Sequence, residues 1–254
     1  MVGLAIILAS GVLRLPIEQR LDAAMTKAFD RRAVLSGEMR ERLGQAAFIA
    51  VLGGYRALVA SFLWLEAHAA WQDTEWGRMN FLMQNVVTLQ PRAWIYWDRA
   101  AWHMGWNASV SVRRDTRFAR EALAARAERQ YFDIAQDFYE RGIQNNPKQW
   151  ELQRGLAMFF QEKRRDSCAA AEAYAKASEL PNAPGYLRRF TAYQLSECEG
   201  KEREAYEMLR ELYLESDSHH LPTLLTKLGE LEKLLEIAPE KRLINPRDSV
   251  RHDE

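Results

Sequence analysis

Glycine and proline are scarce in this chain of 254 residues, at 13 and 8. Val, Ile and Thr never gather into the alternating runs that a half-buried strand needs. Together these shortages exclude a β-rich fold, and the abundance of Ala, Leu, Glu and Arg points to an all-α one. Charge of one sign is missing too. Lys+Arg and Asp+Glu balance at 35 each, so no global field draws the protein to nucleic acid. There is no Gly-rich phosphate loop, nucleophile elbow or Cys-x-x-Cys pair. The five histidines are His68, His103, His219, His220 and His252, and none forms an i, i+4 ligand pair with a carboxylate base. His219 and His220 fall in a turn, where adjacent side chains diverge. No catalytic or metal-binding set is expected, no cofactor is implied, and the chain reads as a non-enzyme.

What the sequence does have is tryptophan in one place. Seven of its eight tryptophans lie within residues 52–107, a stretch that reads as three amphipathic helices. Ahead of it, residues 2–13 are uncharged and apolar, roughly 18 Å as helix against a bilayer core of roughly 30 Å. That run is too short to span alone, and no Lys or Arg precedes it as a signal n-region requires. The expectation is a hydrophobic anchor or signal-like segment over 1–17, with an N-terminal core helix as the alternative. Residues 18–41 then read as a helical connector, 42–236 as a helical repeat domain, and 237–254 as a charged, flexible tail.

The repeat emerges when the segments are aligned on their prolines. Met79, Met83 and Val86 precede Pro91 with the same spacing as Ala135, Tyr139 and Gly142 before Pro147. Ala170, Tyr174 and Ala177 repeat it ahead of Pro181, displaced by one residue, and Ala205, Leu209 and Leu212 form a less complete copy. Each upstream helix carries small residues: Ala67 and Ala70, Ala100 and Ala101, then Ala157 with Phe160. Two antiparallel helices cannot bury both apolar faces alone, so each pair must stack on the next. About twenty extra residues interrupt the second pair. They read as a loop over 107–114 and a helix over 115–142 capped by Asp115 or Thr116. The arginines between Arg113 and Arg129 read as a solvated face, with lipid headgroup binding as the alternative. Residues 218–235 read as a capping helix.

The small-large-small-Pro pattern of Ala135, Tyr139, Gly142 and Pro147 resembles the tetratricopeptide repeat family, over roughly residues 57–216. The chain also resembles bacterial membrane-anchored repeat proteins, through Gly-Gly-Tyr-Arg at 53–56 and Leu63-Trp64. The resemblance implies a right-handed α-solenoid of about four helical pairs, with a C-terminal capping helix and an N-terminal hydrophobic helix. It also implies a concave face lined by the first helix of each pair. On that face it places Trp64, His68 and Trp71, then Asp98, Trp102 and Trp106, then Arg154 and Met158, then Arg189 and Tyr193. These would bind a protein partner, the tryptophans serving as anchors. The alternative is that the tryptophans fill the core.

Cys168 opens the second helix of the third pair and Cys198 closes the first helix of the fourth. Stacking would bring those ends together, so a disulfide is a candidate, with two buried thiols as the alternative. Such a bond persists outside the cytoplasm, whereas Arg14 and Arg20 after the apolar run favour a cytoplasmic domain. The reading adopted is a membrane-tethered scaffold or assembly factor whose soluble domain is periplasmic, with the cytoplasmic face as the alternative. The rival function is a permanent structural subunit of a larger membrane complex.

Overall fold

The computed structural model describes residues 54–115 and 121–244, and among these every regular element is helical. The apolar segment over 1–17, the connector over 18–41, Thr116 and residues 245–254 lie outside the described residues. The chain divides into two compact units, Met1–Val59 and Ala60–Glu254.

Helix α1 spans Arg56–Gln72 and α2 spans Trp76–Leu89. Helix α3, Trp94–Trp102, runs on through a π-helical segment, His103–Ala108, into α4, Ser109–Arg113. Helix α5 covers Glu121–Asn145, α6 Trp150–Phe159, and α7 Ser167–Ser178. Then come α8, Tyr186–Leu195, α9, Glu202–Glu215, and α10, Pro222–Leu234. From α5 onward each helix packs on the next. In addition α3 packs on α6 and α8 on α10, so helices that do not follow each other in the chain also meet.

The aligned repeat positions explain this packing. Met79, Met83, Val86, Ala135, Tyr139, Gly142, Ala170, Tyr174, Ala177, Ala205, Leu209 and Leu212 are all buried. So are Ala67, Ala70, Ala100, Ala101 and Ala157 in the upstream helices. Two glycines set the closest approaches. A Cβ on Gly142 would lie 2.7 Å from the Trp97 Cβ, and one on Gly155 would lie 2.5 Å from the Tyr139 ring. Trp97 is held in turn by its Nε1, which donates to the Pro91 carbonyl at 2.8 Å. The same carbonyl accepts from Asn146 Nδ2 at 2.9 Å, so the Gln-Pro and Asn-Pro turns are tied together.

Two expectations need correction. Residues 107–114 are not a loop. Gly105 lies against the Phe159 ring, and the buried Ser109 hydroxyl donates to the Gly105 carbonyl at 2.6 Å, satisfying itself within the helix. Val110 and Val112 continue the helix as α4, which packs against α5. Arg113 pairs across to Glu121 at 2.7 Å. The second correction concerns residues 237–244, which fold back instead of starting a loose tail. Ile237, Leu243 and Ile244 pack against the core of α8 to α10. The buried Glu232 carboxylate accepts from the backbone N–H groups of Leu243 at 2.6 Å and Ile244 at 3.3 Å. A buried charge is tolerated because those donors satisfy it.

Cys168 and Cys198 are joined by a disulfide that closes a sequence separation of 30 residues. Nearby, Lys227 of α10 donates to Ser196 and Glu197, so the turn after α8 is fastened on both sides.

Two outcomes are expected. Gly142→Ala should lower stability by about 1–3 kcal/mol, because Trp97 cannot retreat and overpacking outweighs the gain in helix propensity of about 1 kcal/mol. Replacing both cysteines by Ala should cost about 2–4 kcal/mol through the freed unfolded chain. Urea unfolding followed by far-ultraviolet circular dichroism measures both.

Candidate functional site

Three of the upstream helices meet along one another through paired side chains. The Trp64 ring lies 5.1 Å from Tyr96 and Trp71 lies 5.7 Å from His103, both pairs separated by 32 residues. A constant offset means that α1 and the helix beginning at Trp94 run parallel. Between that helix and α6 the offset is 56. Trp106 Nε1 donates to Glu162 Oε2 at 2.9 Å, and the charge of Arg154 acts on Asp98.

The rings join into a continuous strip. His68 and Trp71 are 5.0 Å apart, Trp71 meets His103, and His103 meets Trp102 at 5.1 Å. His68 is exposed and Trp102 is 39 % exposed, so the strip reaches solvent. Further along, Lys163 sits over the Trp106 ring at 5.3 Å and Arg154 over Trp150 at 5.8 Å. The Arg154 Nε is buried without a hydrogen-bond partner.

The electrostatics of the strip keep it neutral at its centre. Burial, reinforced by His68 and Arg99, pushes the His103 imidazole down to about 4. Asn107 Nδ2 donates to its Nδ1 at 2.9 Å, which a neutral ring permits. Burial raises the Asp98 carboxyl, against the lowering effect of Arg99 and Arg154. Partial burial also lowers Lys163.

The residues named from sequence divide into groups. Trp64, His68, Trp71, Asp98, Trp102, Trp106 and Arg154 all fall on or beside this strip. Met158 is half-buried in α6. Arg189 lies apart from them and meets His219 at 3.3 Å. Tyr193 is buried in the core shared by α8, α9 and α10, so it offers no anchor to a partner. The physical reason is that α8 turns this position into that apolar cluster, where its ring also meets Phe190. Of the tryptophans, Trp97 fills the core, whereas Trp102 is part-exposed. Sequence reasoning missed Tyr96, Arg99, His103, Glu162 and Lys163. The 32-residue interval from Trp64 to Tyr96 and from Trp71 to His103 was the signal that could have found two of them.

His219 and His220 do not face each other's partners. His220 stacks on Tyr213 at 4.0 Å and its Nε2 meets the Tyr213 carbonyl. Among the described residues no group of three His, Cys, Asp or Glu side chains can hold a metal ion.

Comparison of the chain with protein-family models finds no match, and comparison with curated protein sequences finds none either.

A titration follows from the His103 environment. The imidazole has an ordinary value near 6.5 when unfolded and about 4 when folded. The unfolded chain therefore binds this proton more tightly, and stability falls as pH drops from about 6.5 to about 4. Asp98 acts oppositely in the lower part of that window, so the comparison must isolate the histidine. The urea midpoint of the wild type should decline over this range more steeply than that of His103→Gln, with parallel curves above about pH 7.

Proposed function

We propose that the protein is a membrane-tethered α-solenoid of about four tetratricopeptide-like helical pairs. Its role is to hold a protein partner against the ring-lined strip of its first helices. The observation that carries this reading is the continuous series His68, Trp71, His103 and Trp102, which ends in an exposed tryptophan. Tryptophan, tyrosine and arginine dominate interface energetics when they are presented on a rigid support. Here the support is built from small residues that let helices lie close, so the rings need no reordering to receive a partner.

Several features support a binding role over a reactive one. The titratable groups along the strip, among them the neutral His103 imidazole, Asp98, Glu162, Lys163 and the Arg99 and Arg154 guanidinium groups, suit hydrogen bonding and charge matching at a protein surface. Arg154, half-buried beside the strip with its guanidinium over the Trp150 ring, carries N–H groups that can donate to a partner carboxylate at the edge of the strip. The disulfide supports a domain on the periplasmic side of the membrane, because such bonds persist in oxidising compartments.

Trp102→Ala should release the partner. A loss of about 2 kcal/mol, or roughly thirty-fold in affinity, is expected for an anchor of this kind. Affinity capture of the full chain from detergent-solubilised membranes tests it, with Leu214→Ala on α9 as the control. Recovery of the same partner at the same yield from Trp102→Ala would count against the strip.

A further inference from the structure

Helix α1 is apolar on every side, and two of its sides are already used. Leu63, Ala67 and Ala70 are buried, while Trp64 and Trp71 reach Tyr96 and His103. At about 100° per residue, Leu58, Phe62 and Leu65 share a third face, turned away from the tryptophan side. They are 50 %, 39 % and 63 % exposed, and Tyr55, also exposed, extends the same line towards the helix start. The far end of the chain contrasts with this one. There α10 is covered by Ile237, Leu243 and Ile244. An exposed apolar face of this kind marks a surface that meets an apolar partner.

We infer that the Leu58–Phe62–Leu65 face of α1 rests on the surface of a lipid bilayer, seating the N-terminal end of the helices on the membrane. The inference rests on the tethered reading above and says which surface the tether brings down. Four observations select lipid over another protein surface. Residues 46–52, immediately before this helix, read AAFIAVL without a charge, and residues 2–13 form a second apolar run. The first turn of α1 holds no acidic residue, so nothing there repels anionic headgroups. The only acid of the helix, Glu66, is bound to Arg78 at 2.7 Å. Arg56 stands exposed at the helix start, as interfacial arginines do.

The same contacts decide against a spanning role. Seventeen residues reach roughly 26 Å as helix, short of a core of roughly 30 Å. Among the described residues no helix is long and apolar enough to cross a membrane. The Glu66–Arg78 ion pair and the Trp64–Tyr96 contact hold α1 to the folded body, so it lies along the surface.

The two native cysteines are bonded to each other, so an introduced cysteine is the one free thiol for labelling. The full chain carrying Leu65→Cys is labelled with a polarity-sensitive fluorophore under non-reducing conditions. It is then mixed with vesicles of phosphatidylcholine and phosphatidylglycerol, with Glu211→Cys on α9 as the reference site. The expected result is a blue shift and loss of iodide quenching at position 65 on vesicle addition, and neither change at 211. A chain that floats with the vesicles while the label at 65 stays open to iodide overturns the docking and leaves the tether standing. A chain that does not float overturns both. Shielding at 65 without vesicles that disappears on dilution assigns the face to a second copy, and also overturns the inference.

Discussion

Close approach between helices is the constraint on which the rest of this structure depends. Gly142 lets α5 come against Trp97, and Gly155 lets α6 come against Tyr139. Neither ring could occupy its place if the opposing residue carried a Cβ. Because Trp97 then bonds to Pro91, and Asn146 bonds to the same carbonyl, the separation between pairs is set at the level of a single carbonyl oxygen. The alanines at 100, 101, 157, 170 and 177 extend the same economy of volume along the helices. Closely packed interiors transmit small misfits, which makes these positions sensitive out of proportion to their size.

From that spacing the surface strip follows. Parallel upstream helices at a fixed offset bring rings of one helix opposite rings of the next. The imidazole of His103 lies between Trp71 and Trp102 and is kept neutral by its burial. A charged ring there would lose hydration without gaining a carboxylate in return. The strip is therefore a row of aromatic and imidazole faces flanked by Asp98, Arg99 and Arg154, and it suits a partner that brings apolar groups with a few matched charges.

Much of the helical framework was legible in the sequence, because each repeat position has a volume requirement that shows as a residue type. Ala135, Tyr139 and Gly142 announce small, large and small, and every aligned position proves buried. The π-helical continuation through residues 103–108 was not legible. It packs Gly105 against Phe159, some fifty residues away, a contact that local periodicity does not show. The fold-back of residues 237–244 was hidden for a similar reason. Glu232 looks like one more surface carboxylate until the N–H groups of Leu243 and Ile244 are brought to it. At the candidate site, tryptophans were easy to single out by type. Which of them face inward depends on helix rotation, and periodicity alone does not resolve that for a helix as uniformly apolar as α1.

If a partner lies along the aromatic strip, photo-crosslinking from the strip's edge will capture it. Benzoylphenylalanine is placed in the full chain at His68 and at Arg99, and for comparison at Leu123 and Leu214, all of them exposed positions that leave Trp102 in place. The same adduct is expected from positions 68 and 99 and none from 123 or 214. Adducts formed only from 123 or 214 would rule the strip out.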